Sequence, residues 1–503
     1  MTLPHVNPRR FAAALILPVL CLLSACQARW PEEAQPVSRA PVLYPDYAET
    51  VIAPNIAPLN FKIKEPGVRF LARLAGEQGG SVDVSSRDGR IVWPAGAWKR
   101  VIAQNCGAAV SVTITVEEKD GAYRRFDAVR IDVAQEGVDR YVVYRLIPPV
   151  DHYSVLMGIY QRDLEGFSVR PVVENQNFSV GRDGCMNCHS FRRNRPDRMS
   201  LQVRSATFGR SMVVIKDGVP QRVDTSASGF SKSPAAYQDW HPDGRHIAFS
   251  VNRVMPLEHT IGDHRDAWDE DSDLAVYDTD TNQVSTTRDI ADPDRRETWP
   301  SWSADGRTLY FCSSPQVPMT ELNHVRYDLM RISYDAATGA WGTREIVLSA
   351  ADSGMGAAQP KESPDGRWLL FSLSHHGYSP VYQPTSDLYV IDLTSGARQP
   401  LTALNSSWSE SWHSWSSNGR WIAFASSREG GVLSRIYLGY FDRNGRAHKP
   451  FVMPQEDPSF YESYTLTYNV PELIIEPVPV GPSQLGRAIT AKAPLPAPSL
   501  VRK

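Results

Sequence analysis

From about residue 190 onward, short apolar runs alternate with polar turns in a recurring pattern. It reads WHPDGRHIAFS at 240–250, WSADGRTLYFCSS at 302–314, ESPDGRWLLFS at 362–372 and WSSNGRWIAFASS at 415–427. In each copy an Asp-Gly or Asn-Gly pair makes a tight turn that feeds an apolar run, a hairpin signal. A further apolar run follows each, at 272–278, 327–335, 386–393 and 434–442. The turns begin at Asp243, Asp305, Asp365 and Asn418, and strand-rich repeats of that length predict propeller blades. A fifth, degraded unit is read from 196–204 and 211–225. A sixth is completed by 460–476 or by strand from before 190. Upstream, the alternating runs 110–114, 128–133 and 141–147, separated by Asp-Gly and Glu-Gly turns, predict a separate small β-sandwich. Its one expected helix is short, over 154–165. The Pro-rich stretch from 477 to the end reads as a disordered tail.

The N-terminus has its own pattern. Arg9 and Arg10 precede an apolar run, 11–23, that is too short to span a bilayer comfortably. The run ends in Leu23-Ser24-Ala25-Cys26, which reads as a lipobox. Residues 1–25 are then a lipoprotein signal peptide and Cys26 the lipidated N-terminus. Gln27, where Asp would retain a lipoprotein at the inner membrane, points to the outer membrane. Residues 26–47 read as a tether.

Net charge is −3, which excludes a wholesale nucleic-acid binder. Six cysteines in 503 residues are too few for a disulfide scaffold. No G-x-S-x-G elbow, H-E-x-x-H helix, P-loop or dinucleotide fingerprint occurs.

The chemistry-bearing motif is Cys185-Met186-Asn187-Cys188-His189, the c-type haem attachment signature. Two thiols three residues apart add to the two vinyl groups of one haem, and the following imidazole then meets the iron. A zinc site is disfavoured because adjacent Cys188 and His189 close a shared tetrahedron poorly. A thioredoxin-like pair would require a helix, which the sequel SFRRNRPDR does not provide. His189 is the expected proximal iron ligand. Met199 is the expected distal ligand, with Met157, His152, His241 and His413 as alternatives, and a vacant position is a further one. Arg192, Arg193, Arg195 and Arg198 are candidates for pairing with haem propionates or an acidic partner. Asp269, Asp271 and Asp273 mimic the start of a calcium loop but lack its glycine, and read as a solvated loop. Glu297 and Glu410, at equivalent places before blade strands, are expected to line the central channel.

The repeated phrase resembles the blades of TolB-like propellers. Beyond that, YPDY at 44–47, APNIAPLNF at 53–61, GRIVWP at 89–94, MGIYQRDL at 157–164, CMNCHSF at 185–191 and YNVPE at 468–472 resemble an exported bacterial family. That family joins one CxxCH motif to TolB-like blades and is often labelled cytochrome c biosynthesis or TolB-like protein. The resemblance implies an all-β chain, a β-sandwich-like domain over 48–180, a haem-attachment segment over 181–198 and a TolB-like propeller of about six blades over 199–476. It implies one covalent haem c on Cys185 and Cys188. It also implies His after the haem motif where this chain has Gln202, which leaves Met199 or nothing as distal ligand. The expected role is electron transfer or redox-linked binding, with a protein partner docked on the propeller, a lipid anchor in the envelope membrane and no nucleic acid. The alternatives are a non-redox envelope scaffold with structural haem, and a peroxidase-like haem enzyme.

Overall fold

The computed structural model describes residues 30–148, 157–178, 184–225, 235–257, 266–491 and 499–502. The signal segment, Cys26 and His152 lie outside them. Strands dominate, and six sheets of four or five strands follow one another around an axis. Their innermost strands are Thr467–Ile474, Gly184–Arg192, Ala236–Trp240, Arg295–Trp302, Gly356–Glu362 and Glu410–Trp415. Each touches the next, and the last touches the first, so the ring is closed. The protein is a six-bladed β-propeller with an N-terminal β-domain.

Blade 1 is the closing blade. Tyr141–Ile147, Gly158–Asp163 and Val169–Glu174 form its outer three strands, and Thr467–Ile474, from the far end of the chain, pairs antiparallel with Tyr141–Ile147 as the innermost. Both sources expected for the sixth unit therefore contribute. Closure in this form covers the end-blade faces that an open array would expose. Blade 2 comprises Gly184–Arg192, Arg195–Ser205, Gly209–Lys216 and Val219–Val223. Blades 3 to 6 are built on the four repeated phrases.

Each innermost strand is bent at one residue with positive φ: Cys188 (33°), Tyr237 (47°), Trp299 (56°), Gln359 (56°), Trp412 (49°) and Val470 (49°). At each the pairing register shifts, so the same β-bulge recurs in all six blades. Cys188 thus stands where three sister blades place an aromatic residue.

The N-terminal domain packs a broad sheet against a three-stranded one, Leu43–Tyr44, Phe61–Ile63 and Arg90–Ile91, as the alternation predicts. Val110, Val112, Ile114 and Val116 face one core. Trp421 of blade 6 packs into the same core and donates to the Glu136 carbonyl, while Asp139 accepts two bonds from Ser417, so the domain is seated on the propeller.

Several boundaries differ from expectation. The sandwich ends before Tyr141, because the run 141–147 is apolar on both faces and serves as a blade strand. The expected helix is instead strand over Gly158–Asp163, its first residues lying outside the described ones. The helix that does form is Ala95–Gln104, with Trp98, Val101 and Ile102 buried. Residues 30–47 are not free tether: Gln35–Val37 and Leu43–Tyr44 join sheets, and Tyr47 is buried. Over 478–491 the expected disordered tail is ordered, since Pro482–Thr490 is a helix whose Leu485 and Ile489 plug the core between blades 1 and 2. Proline in its first turn favours that helix. The segment 181–198 is no linker, because Gly184–Arg192 is the innermost strand of blade 2, and the propeller begins well before residue 199. Among the described residues no helix is long and apolar enough to cross a membrane.

Candidate haem-attachment site

The Cys-x-x-Cys-His motif lies on the innermost strand of blade 2. Asn187 pairs with Gln202 and His189 with Leu201, leaving Cys188 as the bulged residue between them. Both thiols are free; Cys185 is half-buried and Cys188 buried. Asn187 Nδ2 donates to Cys185 Sγ at 3.3 Å, and Met157 Sδ lies 3.8 Å from the same sulfur. Burial pushes the Cys188 thiol pKa up, opposed by the Arg145 guanidinium and the Tyr237 backbone.

His189 is 4% exposed, and neither ring nitrogen makes a hydrogen bond of good geometry. Burial, helped by the Arg145 charge, pushes its pKa down to about 3, against a small pull from the Val143 backbone. The imidazole is therefore neutral throughout the physiological range, the form that ligates metals. A buried polar group without a partner is costly, and native folds rarely leave one without a reason. Two free thiols at this spacing and a neutral imidazole without a well-formed hydrogen bond next to the second are a donor set that fits haem c.

The other expected ligands separate. Met199, on the second strand of blade 2, is fully buried opposite Phe191, in a core with Met186, Leu201 and Ile215. That places it on the same dry face as His189, held by packing. His413 bonds the Gln359 carbonyl through Nε2 at 2.6 Å. His241 sits in the blade 3 turn: its Nδ1 accepts from the Asp243 amide and its Nε2 lies 2.9 Å from the Gly306 carbonyl. It does the work of Ser303, Ser363 and Ser416, which brace the sister turns. The nearby His241, Asp243 and His246 bring ligand atoms within 4.8 Å of one another, but these hydrogen bonds account for them.

Three arginines of the basic run are tied down, and Arg195 is exposed. Arg192 pairs with Asp197, Arg193 donates to the Ala304 carbonyl, and Arg198 pairs with Asp217. Glu297 and Glu410 are fully buried and bond within their own blades, to Ser313 and Ser426. They brace hairpins. Asp269 lies on the strand Asp266–Asp278, bonded to Asn252, so no calcium loop forms.

The channel is lined by residues other than the expected Glu297 and Glu410. A cavity of about 420 Å³ opens at one end of it, lined by Arg193, Asp239, Lys361, Glu362, His413 and Glu472, with Cys188 and His189 in the wall. The bulge aromatics cross its floor: Tyr237 and Trp299 have ring centroids 3.7 Å apart, and Trp299 and Trp412 5.2 Å. Lys361 Nζ meets Asp239 at 2.5 Å. Glu472 accepts from the Phe191 amide, and burial pushes its pKa up to about 8.

Fold and site together define a β-propeller protein that carries a CxxCH motif on a channel-lining strand. No protein-family model matches the chain, and no curated protein matches it. Similar solved structures include an oligogalacturonate lyase in complex with manganese (12% identity, 67% of this chain and 86% of that one, TM-score 0.35). Another is the oligogalacturonate lyase of Vibrio parahaemolyticus (11%, 67% and 87%, 0.35). A third is the hydrazine synthase of Kuenenia stuttgartiensis (11%, 64% and 48%, 0.38). Likenesses this distant carry no argument about the site, and the propeller assignment rests on the closed ring of inner strands.

Proposed function

We propose that this is an exported, lipid-anchored monohaem c-type protein that carries single electrons or couples redox state to binding, with the propeller as docking platform for a protein partner. One observation carries the reading: free Cys185 and Cys188 beside a buried, neutral His189 whose ring nitrogens have no good hydrogen bond. Cys185 and Cys188 would hold haem by thioether bonds and His189 would ligate its iron. When bound, haem supplies one-electron exchange between iron(III) and iron(II), the electron arriving from a reduced carrier protein and leaving to an oxidised one. The chain's own part is to hold the imidazole neutral, keep bulk water from the motif, and present the channel mouth next to it. The lipobox at Cys26 and Gln27 after it support an anchor in the outer membrane.

Expression in a host with intact haem-attachment machinery, followed by a denaturing gel stained for haem peroxidase activity and a pyridine haemochrome assay, tests this. A stained band in the native protein, lost in Cys185→Ala/Cys188→Ala, is expected. A colourless native band overturns the reading.

A further inference from the structure

We propose that Arg145 sets the charge of the CxxCH site: it is a buried cation with no carboxylate beside it among the described residues, so that its charge acts on the group bound there and favours the reduced iron. The inference rests on the haem reading above and adds the residue that tunes it.

Arg145 lies on Tyr141–Ile147, the second strand of blade 1. Val142, Tyr144 and Leu146 alternate into one core, and Val143 and Ile147 into or against the core between blades 1 and 2. The alternation sends Arg145 to that second, dry face, where apolar residues are expected. It is 8% exposed and donates to Asn187 Oδ1, the residue between the two cysteines, while its Nε has no partner. Among the described residues no carboxylate lies within ion-pair distance of it.

Other buried arginines are treated differently. Arg296 donates to the Pro315 and Val317 carbonyls and lies over the Trp268 ring. Arg162 reaches the Pro454 carbonyl and Gln455, and Arg435 the Leu466 and Tyr464 carbonyls. Arg145 has a single side-chain amide. A buried cation left so bare is costly in the protein alone. Its field is also little screened, and it bears on both Cys188 and His189. Iron(III) carries one more positive charge than iron(II), so a cation here raises the reduction potential. The other nearby cation, Arg204, with Nη2 3.8 Å from Cys185 Sγ, is exposed and screened by solvent.

The test is a potentiometric titration of the haem-loaded full chain and its variants. Arg145→Met should move the midpoint to lower potential, Arg145→Lys should stay near the native value, and Arg204→Met should shift it little, the more so in high salt. Thermal unfolding supplies the second arm. In the haem-free Cys185→Ala/Cys188→Ala protein, Arg145→Met should raise Tm, because it removes an uncompensated charge. An unchanged or higher midpoint in Arg145→Met overturns the proposal, as does a lower Tm in the haem-free background, which would mean a partner elsewhere in the chain. Arg145→Gln carries both arms if the Met variant does not fold. A native protein whose gel band lacks haem removes the haem reading and this inference with it, whereas a stained band with an unmoved midpoint removes this inference alone.

Discussion

His189 of blade 2 and His413 of blade 6 occupy the same position, one residue past the positive-φ bulge of the innermost strand. Both are buried and both are held neutral, His413 with its pKa pushed down to about 4. They differ in what the ring meets: His413 Nε2 lies 2.6 Å from the Gln359 carbonyl, whereas His189 has no bond of comparable quality. The pair is an internal control. His189→Ala should change the visible spectrum of the haem-loaded protein. His413→Ala should leave the spectrum alone and cost on the order of 2 kcal/mol of stability, for a lost buried bond and a cavity. A spectral change in the His413 variant equal to that in the His189 variant would contradict the assignment.

Met199 separates packing from ligation. Fully buried among Met186, Phe191 and Leu201, it should cost about 3 kcal/mol on change to alanine. Its spectrum should keep the native axial signature. Loss of a sulfur–iron band in Met199→Ala would assign the distal role to this residue.

Glu472 gives the propeller a pH dependence of definite sign. Folding raises its pKa from 4.5 to about 8, so between those values the native state keeps a proton that the unfolded state has lost. Stability from this residue therefore falls as pH rises from about 4.5 to 8. Glu472→Gln retains an oxygen for the Phe191 amide and removes the ionisation. Its advantage in unfolding free energy over the native chain should grow with pH, reaching on the order of 2 kcal/mol at the alkaline end. A difference independent of pH would show that the carboxyl is ionised in the fold.

Lipidation is read at Cys26. Mass spectrometry of the mature N-terminus should find an acylated Cys26, and Cys26→Ser should release the protein from the membrane fraction. A mature N-terminus further along the chain would refute it.

Four blades were legible because each carries the same Asp-Gly or Asn-Gly turn ahead of an apolar strand. Blade 2 was legible only in its outer strands, over 196–204 and 211–225; its innermost strand was missed because its turn is Arg193-Asn194, both with positive φ, which does the work of Asp-Gly without its spelling. Blade 1 was legible as two alternative sources, but no local pattern can announce that 141–147 pairs with 467–474 and that both are needed. The helix Ala95–Gln104 has no side-chain cap to announce it. At the site, Cys185, Cys188 and His189 were legible from spacing alone. Arg145 was not: inside YVVYRLI it reads as one polar residue in a strand, and only the apposition of two blades brings it to Asn187. Glu472 was equally silent, because its burial depends on the ring being closed.

The strand that shuts the ring is made well after the motif it closes on. Cys185, Cys188 and His189 exist, and can meet an enzyme, long before Thr467–Ile474 arrives to complete blade 1 beside them and before Pro482–Thr490 caps the seam. Order along the polypeptide thus gives covalent chemistry on the thiols a head start over their burial. A circular permutant that begins near residue 460 reverses that order: blade 1 would be whole before the cysteines emerged, and modification would have to compete with a seam already prepared to close.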